Sequence, residues 1–152
     1  MPSKISQSRS FDPVRQFSLF AENKVGCLHD FVSVLSSNGV HTMAITAIDS
    51  TDAAIVRFVV DDPKHARELL RSHGFSFTES DVIGVELNSE ADLHLVLSSM
   101  MEAEVNIHYL YPFLVRPKER YALVMNVDDN ELAAQALALR SFKVLGQGEI
   151  SR

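Results

Sequence analysis

The feature that most limits how this 152-residue chain can fold is an internal repeat. Val14 to Phe20 reads as an extended segment, followed by a turn at Glu22–Gly26. Leu28, Phe31, Val32 and Leu35 then fall at i, i+3, i+4 and i+7, which places them on one helical face. Asn38-Gly39 suits the left-handed residue that ends a helix. Val40–Ile48 and Ala53–Val60 are rich in β-branched and apolar residues and predict a hairpin around Asp49–Asp52. Asp61-Asp62-Pro63 opens a second helix, with Ala66, Leu69, Leu70 and His73 on one face and Gly74 closing it. Phe75 to Thr78 is then a short strand.

The same order returns. Val82–Leu87 is a strand, and Leu93, Val96, Leu97, Met100 and Met101 repeat the helical spacing. Val105–Phe113 and Tyr121–Val127 form a second hairpin, Asp128-Asp129 opens a helix with Leu132, Ala133, Ala136 and Leu137 inward, and Phe142–Leu145 is the last strand. Leu28 and Leu93 are 65 residues apart, as are Val40 and Val105, whereas Asp62 and Asp129 are separated by 67. The second hairpin turn absorbs the difference. Two copies with no third point to duplication of a small domain and not to a solenoid.

Strand-helix-strand-strand-helix-strand is the ferredoxin-like arrangement. The fold class is therefore α+β, as two tandem βαββαβ units, each an antiparallel sheet with helices on one face. The expected division is a disordered N-terminus over 1–12, a first unit over 13–80 and a second over 81–152, with the junction near Glu79–Val82. Several strands are apolar on both faces, Ala53–Val60 and Tyr121–Val127 among them. Part of the second face, or an edge, is thus expected to be buried, between the halves or in an oligomer.

Composition removes several function classes. With Lys+Arg at 14 and Asp+Glu at 20 the formal net charge is −6, and the densest basic stretch, Arg116–Arg120, is short. Phosphate backbones are bound mainly through Lys and Arg, so nucleic acid is not the expected partner. No apolar run approaches the ~18 residues of a membrane span. The single cysteine, Cys27, allows no intrachain disulfide. MPSKISQSRS has no apolar stretch behind its basic residues, so the reading is a cytoplasmic protein without a secretory signal. The six histidines show no HExxH or paired short spacing, and no metal or cofactor is expected. Gly146-Gln147-Gly148 is a fragment of a dinucleotide motif with no helix expected to follow it. The two Asp-Asp pairs are read as helix caps, not as catalytic dyads.

The loop Asn23-Lys24-Val25-Gly26-Cys27-Leu28 joins the first strand to the first helix. Helix-start N–H groups have no internal partner, which suits a carboxylate or phosphate, and Gly26 would let a ligand approach the main chain. A glycine kept for packing beneath a capped helix is the competing reading.

Phe17 to Ile48 resembles the start of an ACT domain, a small-molecule-binding regulatory module of amino-acid metabolism. The match runs through Asn23, Gly26, Leu28, the helix face and Gly39-Val40. The family's asparagine position is His41 here and is kept as Asn106-Ile107 in the second half, where the glycine loop has become Asn88–Leu93. The resemblance covers residues 14–148 and implies a non-catalytic regulatory protein that holds a ligand, an amino acid, between two units. It implies one site from Asn23, Lys24, Val25, Gly26, Cys27 and Leu28 with Asn106 and Ile107 of the other half. The mirrored site sets Ser89–Leu93 against His41, where Glu90 and Asp92 would repel a carboxylate. A homodimer and a metabolic enzyme are the implied protein partners. The alternatives are a regulatory subunit without its own ligand, an acylphosphatase-like hydrolase, for which the loop lacks an arginine, and an RNA-binding module on an open sheet face.

Overall fold

The computed structural model describes residues 12–22, 26–49, 53–115 and 119–151. Residues 1–11 of the expected disordered terminus lie outside these. The strands are β1 (Val14–Glu22), β2 (Thr42–Asp49), β3 (Ala53–Val60), β4 (Ser76–Leu87), β5 (Ile107–Pro112), β6 (Tyr121–Val127) and β7 (Val144–Leu145). The helices are α1 (Cys27–Ser37), α2 (Pro63–Ser72), α3 (Asp92–Glu102), α4 (Asn130–Leu139) and α5 (Gln147–Ile150).

The strand order is β2-β3-β1-β4-β6-β5, all antiparallel, with β7 added to β4. Each half has the ferredoxin-like order, but they share a strand. The two short strands expected on either side of Glu79–Val82 are one twelve-residue strand, β4. Its first part pairs with β1 from Ser76 to Val82, and its second pairs with β6 from Ile83 to Leu87. The sheet then curls until its outer strands meet. Ala44 and Phe113 form an antiparallel bridge, and the N–H groups of Leu114 and Val115 donate to the Met43 carbonyl at 2.7 and 3.2 Å.

Period-two alternation along the strands builds three cores. Phe17, Leu19, Val56 and Phe58 face outward and pack with Phe31 and Leu35 of α1 and Ala66 and Leu70 of α2. Phe17 and Phe58 are direct cross-strand partners with ring centroids 5.4 Å apart, and Phe31 meets Phe58 at 4.9 Å. Such pairs add about 0.5–1.5 kcal/mol beyond their burial. In the second half Ile83, Val85, Leu123 and Met125 pack with Val96 and Met100 of α3 and Ala133 and Leu137 of α4. The opposite strand face supplies the third core, with Val14, Ala44, Val59, Val82, Tyr111, Phe113 and Val124 inside the curl. Part of the second sheet face is thus buried between the halves.

Local signals set the helix ends. Gly39 has φ +81°, and Val40 N–H returns to the Leu35 carbonyl at 3.0 Å. Asp62 and Asp129 cap α2 and α4 by accepting from His65 and Leu132 N–H at 3.2 and 3.0 Å. The preceding aspartates do something else: Asp61 accepts from His41 N–H at 2.8 Å, and Asp128 from Asn106 N–H at 3.1 Å. Each ties the end of one hairpin strand to the start of the other.

Four helical positions expected on buried faces are exposed: Leu28, Leu97, Met101 and Leu132. His73 is exposed as well, with its ring against the Leu69 carbonyl. The last strand shrinks to Val144–Leu145, and a four-residue helix does follow Gly146. That helix seats Ile150 in the inner core. The Gln147 side chain accepts from Arg15 N–H at 3.0 Å and donates to the Val60 carbonyl at 3.2 Å. Gly148 N–H donates to Asp12 at 3.1 Å, so residue 12 of the expected disordered terminus is held. No helix among the described residues is long and apolar enough to cross a membrane.

Candidate functional site

Gly26 stands at the start of α1 with φ +88°, a conformation that favours glycine, and a Cβ placed there would meet nothing within 4 Å. Among the described residues no side chain caps this helix. Its first intrahelical bond runs from Asp30 N–H to the Gly26 carbonyl at 2.8 Å, so the earlier N–H groups lack intrahelical acceptors. Cys27 is partly buried and Leu28 is 45% exposed. Asn23, Lys24 and Val25 lie outside the described residues.

The equivalent turn in the second half is closed on itself. Asp92 accepts from Asn88 N–H at 2.8 Å, Asp92 and Leu93 N–H donate to the Ser89 and Glu90 carbonyls, and Arg120 bonds the Asn88 side chain. A cavity of about 350 Å³ opens beside it, lined by Leu87, Leu93, Phe113 and Leu123 with Ser89 and Glu90 as polar members. His41 is not part of its lining.

His41 and Asn106 occupy matching positions before β2 and β5. The His41 ring lies 2.8 Å from the buried Asp61 carboxylate through Nδ1. The Asn106 side chain is exposed, and Ile107 packs against the second outward core. No hydrogen bond among the described residues joins Gly26, Cys27 or Leu28 to Asn106 or Ile107.

A polar cluster that sequence reasoning missed lies inside the curl. Gln16, fully buried on β1, donates to Tyr109 Oη at 2.7 Å and to Ser80 Oγ at 3.3 Å, and accepts from Tyr111 Oη at 2.5 Å. The Arg57 guanidinium lies 4.2 Å from the centre of the Tyr109 ring. Burial pushes the Tyr111 phenol well above its ordinary range, so it stays a neutral donor. The available signal was one arginine in the middle of the apolar run Ala53–Val60. Among the described residues no group of three or more His, Cys, Asp or Glu is placed to hold a metal ion.

Comparison with known proteins agrees with this architecture. A protein from Bacteroides thetaiotaomicron matches with a TM-score of 0.83 at 24% identity, over 92% of this chain and 96% of that one. The ligand-free regulatory subunit of aspartate kinase from Thermus thermophilus matches with a TM-score of 0.59 at 17% identity, over 84% and 91%. That from Thermus flavus gives 0.54 at 15%, over 85% and 93%. At these identities the likeness is one of fold. No curated protein matches the sequence. The family description "ACT domain pair" matches residues 13–152, so with its duplicated units and shared strand the chain belongs to the ACT domain pair family.

Proposed function

We propose that this protein is a non-catalytic regulator that binds an amino acid at the start of α1. The observation that carries this reading is the asymmetry between the two equivalent turns. The first presents a helix start with no side-chain cap among the described residues, beside an open, left-handed Gly26, whereas the second is closed by Asp92. A ligand carboxylate at such a helix start is stabilised by about 0.3–1 kcal/mol, and by up to about 2 when partly buried. Leu28 is left exposed to receive an apolar side chain. Asn23, Lys24, Val25 and Cys27 would complete the loop side, and Asn106 and Ile107 the second-half side, with His41 at the mirrored position. Further hydrogen bonds and apolar burial would bring the dissociation constant to the order of micromolar to millimolar.

The ACT domain pair is a regulatory fold related to amino-acid-binding regulators. The aspartate kinase regulatory subunits among its neighbours support an output through association, as a homodimer or with a metabolic enzyme in the cytoplasm. Binding would act by favouring one packing of units or subunits over another.

A thermal-shift screen against the common amino acids at millimolar concentration tests this. Ligand at 100 times its dissociation constant adds about 2.7 kcal/mol. That raises the melting temperature by several degrees, at about 2–4 °C per kcal/mol for a chain of this size. Gly26→Asp should abolish the shift, while Gly26→Asn, which tolerates the left-handed backbone without adding charge, should keep part of it. A flat screen, or an undiminished shift in Gly26→Asp, would sink the reading.

A further inference from the structure

We infer that the open end of the inter-unit curl binds a small organic carboxylate, with Arg57 as its counter-charge. The inward-facing side chains form a gradient along each strand. On β1 Val14 and Gln16 are buried, Ser18 is partly covered, and Phe20 is 45% exposed. On β2 the same series runs from buried Ala44 through Thr46 to Ile48, which is 49% exposed. On β4 it runs from buried Val82 through Ser80 to exposed Thr78. Among the described residues, exposure therefore rises toward one end of the inter-unit interior, where Phe20, Ile48 and Thr78 stand.

Arg57 pairs with Ser18 and Thr46 in the sheet, at the depth where the inward positions pass from buried to exposed. Its Nη1 is shielded from solvent and has no hydrogen-bond acceptor. Among the described residues it makes no ion pair; its guanidinium lies 4.2 Å from the Tyr109 ring centre and acts electrostatically on the Tyr111 phenol. The nearby Gln16 carboxamide is already engaged with Tyr109, Tyr111 and Ser80. A partly buried cation without an acid is costly, and the face of the Tyr109 ring offsets only part of that cost. A planar guanidinium fork is matched by a carboxylate, which accepts two parallel N–H bonds. Phe20 and Ile48 offer apolar surface to a short aliphatic tail. The equivalent strand position in the second half, between Gly84 and Tyr111, is Val124, so the duplication supplies one such arginine per chain.

The full chain contains no tryptophan and three tyrosines, two of them in this cluster, so tyrosine emission reports on the site. Butyrate titrated at constant ionic strength should change that emission saturably, while butylamine should not. Arg57→Met should weaken butyrate at least about tenfold, the loss of a charge-assisted bond. It should melt at or above the wild-type temperature, because a partly buried charge with no acid beside it has been removed. Gly26→Asp should leave butyrate binding unchanged, which separates this site from the one at the start of α1. The inference fails if butyrate does not saturate, if Arg57→Met binds it as tightly, or if inorganic phosphate binds equally well. A lower melting temperature for Arg57→Met would also overturn it, by showing that the guanidinium is structural.

Discussion

Glu79 carries two interactions that no local pattern announces. Arg67 of α2 grips its carboxylate through Nε at 2.6 Å and Nη2 at 2.8 Å, and Arg15 stands 3.6 Å away. The Arg67 hydrogen bonds, followed by the nearby cationic charge, hold the Glu79 carboxyl below its ordinary range against the opposing effect of burial. A carboxyl whose folded pKa is depressed stabilises the fold above its unfolded value of about 4.3, and that contribution is lost as pH falls through the folded value. Because both partners are partly solvated, Glu79→Gln should cost about 1 kcal/mol at neutral pH. Urea melts should show the gap from wild type closing below about pH 4. An equal gap at both pH values would show that the ion pair is not its source. The same contrast separates the aspartates. Asp62 and Asp129 were legible as caps because their partners lie three residues ahead. Asp61 was not, because His41 is twenty residues away.

At the scale of elements, β4 shows how a polar run can mislead. Glu79-Ser80-Asp81 reads as a junction, yet each residue has a distant partner: Arg67 for Glu79, Gln16 for Ser80 and Arg15 for Asp81. Polar residues that are satisfied across the sheet continue a strand as well as apolar ones do. The small α5 is the opposite case, four residues that no periodicity could reveal. It is held by Gln147 across β1 and β3 and by Ile150 in the inner core. Gly146 allows the approach, since a Cβ there would come within 2.8 Å of the Asp12 carbonyl oxygen. Ile150→Ala should therefore destabilise the whole protein by about 2–4 kcal/mol, because it opens a cavity in the core. Chemical denaturation would check this. A cost below about 0.5 kcal/mol, the size of a surface substitution, would mean that α5 only decorates the surface.

For the whole molecule, the shared strand and the common inner core imply one folding unit despite the duplication. Neither half can complete its sheet without β4, and the inner core draws on both halves. Calorimetry should give a single transition whose calorimetric and van't Hoff enthalpies agree. Two resolved transitions would show that the halves unfold independently.

The amino-acid order by itself determined the duplicated βαββαβ plan, the helix caps and the open glycine at the first helix start. All of these rest on contacts a few residues apart or on simple periodicity, which a linear reading can follow. Tertiary structure alone decided that the two sheets share a strand, that their outer edges meet at Ala44 and Phe113, and that Arg57 is left facing Tyr109 without an acid. Each of these depends on which face of a strand is turned toward a residue dozens of positions away. Sequence alternation shows that such a face exists, and only the curl of the sheet settles what it meets.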